Sequence, residues 1–239
     1  MRVGLAADPA ARDVLIASLF ADRPLIVSTG NSRTIICVTI EHAILISAMS
    51  GFDPTSYGTQ IAELLSEDRL CELGPGRPNS PAKSLLNSLR PEDIVSSIAD
   101  QDMAECCIAG LWLWHDYLDR SHDFSQEIHS SSGSYWHAIM HRREPDFSNS
   151  KYWYRRVGDH PIFPDLHEAA AELAQQHEVS GDAQSLVSQS SWDPCAFVDL
   201  CAVVSRGNAN GSCSGQFCRE VCRAEWQLLF DYCYQNAGR

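Results

Sequence analysis

A chain of 239 residues, 44% hydrophobic and 21% charged, has the composition of one large soluble domain or two small ones, and not that of a disordered or fibrous protein. Its net charge of −13 argues against nucleic acid and anionic membrane surfaces, since both need a positive face. Ten cysteines in a chain of this length, with no charged-then-apolar pattern in residues 1–11, point to reduced thiols and a cytoplasmic location.

Residues 1–50 differ in character from the rest. ARDVLIASLF has the pattern of a short amphipathic helix, and PLIVS, TGNS and β-branched RTIICVTI suggest a hairpin. The longest apolar run, Thr34 to Met49, is too short for a membrane span and contains Glu41 and His42. We therefore expect residues 1–55 to be an extension or small α/β element and residues 56–239 to be a helical domain. The expected fold class is mainly α, a single helical domain with a minor β element near the N-terminus.

Residues 59–73 carry a helical pattern that breaks near Glu67. GPGRPNSP (74–81) follows, a stiff loop able to turn backbone N–H groups and Arg77 toward an anion, or simply to connect. AKSLLNSL reads as a helix ended by Arg90-Pro91. Asp102 with Glu105 resembles a capping box opening a long helix to about Phe124. Short helices are expected from about Ser134 to Arg143 and from about Asn149 to Val157, the latter closed by Gly158. Pro164 to Glu178 reads as an amphipathic helix and 181–191 as a linker. Asp193-Pro194 is a cap for the next helix, and a last helix runs from about Gln216 to Gln235.

The candidate site lies between Trp112 and Pro161. On the helix 102–124, His115, Asp119 and His122 continue an apolar stripe at spacings of three and four, so they face the core. On the next helix His137 and His141 stand one turn apart, with Glu144 three residues on. Two such helices packed antiparallel bring imidazoles and carboxylates together, a set suited to Zn²⁺, Fe²⁺ or Mn²⁺. His115, Asp119, His122, His137 and His141 are thus the candidate metal ligands, and Asp116 and Glu144 the candidate acid and base. From Gly133 to Pro161 five basic residues meet three acidic ones, an island of positive charge in an acidic chain. Arg142, Arg143, Arg155 and Arg156, with Tyr152 for stacking, are the candidate anion-binding residues. A purely structural network of the same side chains, with arginines paired or snorkelling to solvent, is the competing reading. The cysteines at 213, 218, 222 and 233 lack the C-x2-C spacing of zinc knuckles, and 218, 222 and 233 share one helical face, as core cysteines do.

The run GSYWHAIMHRREPDFSNSKYWYRRVGDHP, taken with CIAGLWLWHDYLDRSH and EWQLLFDYCY, resembles a family of uncharacterised, mostly bacterial proteins. The resemblance spans about residues 70–237. It brings no known activity and assigns no functional residue.

The chemistry expected from the residues is metal-dependent hydrolysis of a small anionic molecule bearing phosphate or carboxylate. The metal would generate the nucleophile and arginines would stabilise developing charge. The alternatives are a non-catalytic module for a small anion, an iron-dependent oxygenase, and a structural helical protein. No nucleic acid or membrane partner is expected.

Overall fold

The structure, a computed structural model, describes residues 52–207 and 213–238, all within the compact unit Met49–Arg239. The helix and hairpin expected in residues 1–50 lie outside the described residues. The fold is mainly α. The helices are Thr59–Leu64 (α1), Lys83–Ser88 (α2), Pro91–Ile94 (α3), Gln101–Trp114 (α4), Leu118–Ser125 (α5), Ser131–Arg143 (α6), Phe147–Val157 (α7), Phe163–Gln176 (α8), Asp182–Val187 (α9), Pro194–Arg206 (α10) and Cys213–Ala237 (α11). Among the described residues there is no strand, and no helix is long and apolar enough to cross a membrane.

Two helices, α4 and α6, form the centre: α4 is apolar or small almost all round, while α6 buries His137, His141, Arg142 and Arg143 along with its apolar residues. Every residue from Cys106 to Asp116 is buried, as is every residue of α6 from Ser132 on. Gly110 sets their approach. A Cβ there would lie 2.8 Å from the Trp136 ring, and its carbonyl accepts a 2.9 Å hydrogen bond from Trp226 Nε1 on α11. Trp226 in turn stacks on Phe230 at 4.9 Å and tilts against Trp114 at 4.5 Å. One missing methyl group thus lets α4, α6 and α11 share an aromatic core, worth several kcal/mol of burial for each tryptophan.

The single helix expected over 102–124 is two helices. It starts earlier, on Asp100, whose carboxylate accepts from Met103 N at 3.2 Å. It ends at Trp114, because Asp116 adopts φ 62°, the left-handed region. That conformation is held in place from outside. Arg143 donates to one carboxylate oxygen of Asp116 at 2.6 Å, while Arg69 and the Arg77 backbone N–H donate to the other at 2.9 and 3.3 Å. The Arg143 guanidinium also donates to the Gly74 and Pro75 carbonyls. The glycine–proline loop therefore does turn a backbone N–H to an anion, and the anion belongs to the protein itself. Elsewhere, Gly158 closes α7 at φ 70°, and Asp193 caps α10 by accepting from Cys195 N and Ala196 N at 2.9 and 3.0 Å. Residues 181–191, expected as linker, contain the short helix α9.

Candidate metal centre

The antiparallel turn between α5 and α6 is tight. Ser130 caps α6 by accepting from Gly133 N, and Gly133 has no Cβ because one would lie 2.4 Å from Ile128 O. This closeness places His122 of α5 against His137 and His141 of α6. Each of the three offers a ring nitrogen, and the three atoms lie within 4.8 Å of one another. The His122 ring centroid is 4.7 Å from that of His137 and 5.4 Å from that of His141. His137 and His141 are buried and His122 is half-buried.

The protonation pattern follows from the neighbours. Glu144, just past the end of α6, has Oε2 3.2 Å from His141 Nδ1. A carboxylate accepts only, so Nδ1 carries the proton and Nε2 keeps its lone pair. The Asn149 side-chain amide nitrogen lies over the ring, 3.0 Å from Nε2 and 3.4 Å from Nδ1. His137 Nε2 points at His141 Nε2 from 2.9 Å. Burial, together with the adjacent His141 and His122, pushes His137 down to about 3, so its ring is neutral at physiological pH. Burial also lowers His141, against the pull of Glu144. With His141 Nε2 the acceptor, His137 Nε2 donates to it, and a third imidazole nitrogen lies beside this pair; an ion would displace that proton to the unpartnered His137 Nδ1. Zinc sites need nitrogens about 2.0–2.1 Å from the ion, hence about 3.3 Å from each other, and the spacings here bracket that distance. Glu144 then stands where an outer carboxylate orients a ligating histidine.

Trp153 of α7 forms one wall, stacked on His137 with centroids 3.9 Å apart. The exposed Arg156 guanidinium sits 5.2 Å from the Trp153 ring centre. Tyr152, 47% exposed, touches the Trp153 edge.

The other residues singled out from sequence fall elsewhere. His115 lies in the break after α4, with Nδ1 3.1 Å from Asn79 Nδ2, and takes no part in the three-histidine group. Asp119 is exposed and also outside that group, because the break at Asp116 ends the stripe extrapolated through it. Asp116 is committed to Arg143 and Arg69. Arg142 is buried with Glu225 of α11 as its ion-pair partner, and it also donates to Tyr154 Oη at 3.0 Å. Arg143 is buried against Asp116 and the 74–75 carbonyls. Of the four arginines, Arg155 and Arg156 are the exposed ones.

Sequence reasoning passed over Asn149 and Trp153 as site residues. The signal available was their position on α7, the helix following the His137–His141 pair. A second His-containing contact, Ser132 Oγ to His160 Nε2 at 3.1 Å, is not an activated serine. The Ile162 N–H donates to His160 Nδ1 at 3.4 Å, so Nε2 holds the proton and the ring donates to the hydroxyl. No family model, curated protein or solved structure matches the chain. The site is therefore read from its own geometry.

Proposed function

We propose that His122, His137 and His141 bind one divalent metal, with Zn²⁺ the best fit, and that the protein is a metal-dependent hydrolase. The observation that carries this is the convergence of three imidazole nitrogens within 4.8 Å, two of them neutral and buried. Three protein ligands plus an open position suit a catalytic rather than a structural zinc site. Held by His122, His137 and His141, such an ion would supply Lewis-acid activation of water for hydrolysis at a carbonyl or phosphoryl centre. An iron oxygenase is less favoured. Its usual triad has a carboxylate in the inner set, whereas Glu144 here meets His141 Nδ1, on the far side of the ring from Nε2.

The substrate in this reading is a small molecule carrying a carboxylate or phosphate. Arg156, next to Trp153 and so next to the histidines, is the cation placed to hold it. Arg142 and Arg143 already have buried partners, which weakens the case for a metal-free anion-binding module. A reducing, cytoplasmic setting belongs to the same proposal. It is supported by free buried cysteines such as Cys106, Cys201 and Cys233.

The test is elemental analysis of protein purified without a histidine tag. About one equivalent of metal is expected, lost in His137→Ala and His141→Ala. Wild-type protein holding far less than one equivalent, and not loading with Zn²⁺, Fe²⁺ or Mn²⁺, refutes the reading.

A further inference from the structure

We infer that the anion held by Arg156 and the bond hydrolysed at the three histidines belong to different parts of one substrate: an ester or amide carbonyl at the histidines, and an anionic tail on Arg156, with the Trp153 indole between them. The inference rests on the metal reading above and narrows it to acyl substrates.

Trp153 separates two spaces. His137 covers one face of its indole, with ring centroids 3.9 Å apart and planes 16° from parallel. His137 comes from α6 and is 3% exposed, so this is the inner face. A metal bound to an imidazole nitrogen lies in the plane of that ring. An ion on His137 would therefore share the inner side, one stacking distance above the indole. The Arg156 guanidinium, 5.2 Å from the centre of the indole, belongs to the exposed side of α7. With the inner face already filled by imidazole, this cation rests on the outer one. It makes no ion pair among the described residues, so its N–H edges are open to a ligand.

A guanidinium holds an anion through N–H···O bonds of about 2.8 Å, so it must face the anion directly. Across an indole it cannot reach a phosphoryl group that is itself reacting at the ion. Arg142 and Arg143, the arginines next to His141 in the chain, are turned to Glu225 and Asp116. A phosphomonoester carries its charge and its scissile bond on one phosphorus, and would leave Arg156 without a ligand. An acyl substrate with a separate carboxylate or phosphate uses both spaces. Its carbonyl is neutral and needs no guanidinium, while the tail brings the negative charge that Arg156 can pair with. Hydrolysis adds the hydroxyl of water to the acyl carbon and its remaining hydrogen to the departing oxygen or nitrogen, so no further reactant is required.

The full-length protein loaded with Co²⁺ reports ligands at the ion through its visible absorption. Acetohydroxamate is the probe without a tail, and the monohydroxamates of succinic and glutaric acid add a carboxylate at increasing reach. One or both of these are expected to bind about 10-fold more tightly than acetohydroxamate, a modest gain because Arg156 is exposed. Arg156→Gln should abolish this advantage while leaving Co²⁺ uptake and acetohydroxamate affinity as in wild type. Arg206→Gln, an equal change of charge at another exposed arginine, should keep it. No tail advantage in wild type, or equal losses in the two variants, overturns the inference and leaves the metal site standing. So does a loss of inorganic phosphate binding at the ion in Arg156→Gln as large as the loss for the tailed probes, since the guanidinium would then reach the reacting group. Wild-type protein that takes up no Co²⁺ removes the metal reading and this inference together.

Discussion

Replacing Arg142 with methionine takes away the cation that faces Glu225, and the structure says what remains. Arg142 is 2% exposed and Glu225 fully buried. Glu225 accepts from the Tyr135 and Tyr154 hydroxyls at 3.0 and 2.8 Å, and its other oxygen pairs with Arg142. After the substitution a carboxylate sits in the core with two neutral donors and no counter-charge. Removing one partner of a buried pair costs about 3–5 kcal/mol, most of it the desolvation of the partner left behind. For a chain of this size that is a drop of roughly 6–20 °C in Tm. The double variant Arg142→Met, Glu225→Leu removes both charges and leaves two tyrosine hydroxyls to be satisfied. It should therefore be more stable than Arg142→Met alone, so the cycle has a large favourable coupling. Urea unfolding of wild type, both single variants and the double variant measures this. If Arg142→Met costs under about 1 kcal/mol, or the double variant loses the sum of the singles, Arg142 is not serving Glu225 and its assignment to the core is wrong.

Acid should weaken the fold before carboxylates titrate. Burial pushes His115 and His160 down to about 4, while the unfolded chain takes up these protons near pH 6.5. The unfolded state thus holds more protons between those limits, and stability falls as pH drops through that window, by at most about 1.4 kcal/mol per pH unit for each ring. Urea midpoints at pH 7 and pH 5 read this, and His160→Gln should flatten the dependence; equal midpoints contradict it. Gly76→Ala puts a Cβ 2.5 Å from the Asp116 carboxyl carbon at a backbone φ of +72°. It should cost about 2 kcal/mol in thermal unfolding, and a loss below about 0.5 kcal/mol counts against the clamp on Asp116. Asp193→Ala removes the cap of α10 and should cost about 1 kcal/mol by the same measurement, with an unchanged Tm as the contrary result. Zn²⁺ at 100 times its Kd should stabilise wild type by about 2.7 kcal/mol and leave His141→Ala unmoved; equal shifts in the two would point to binding elsewhere.

Local pattern carried the helical fold and the heart of the site. His137 and His141 stand one turn apart on any helix, and their meeting with His122 needed only a short turn between α5 and α6. Asp119 was misplaced for a non-local reason. The stripe runs through His115 only if the helix continues, and the break at Asp116 is imposed by Arg69 and Arg143, residues 47 and 27 positions away. Arg142 shows the same limit. Beside Arg143 in sequence it looks like half of an anion site, yet its partner lies 83 residues on, in α11. No periodicity in α6 encodes that pairing. Asn149 was invisible for another reason: as a residue type near a helix start it is commonplace, and only the fold brings it over the His141 ring.

The tight α5–α6 turn has a consequence for assembly. All three imidazoles lie between His122 and His141, so the histidine hairpin consists of short-range contacts that form early. The Glu225 network must wait for α11, which is synthesised after α6. A nascent fragment ending near Gly158 would then already hold what it needs to capture zinc, and pulse-labelled exchange during refolding should protect α6 sooner when the ion is present. Identical protection with and without zinc would show that the histidines gather only after α11 has docked.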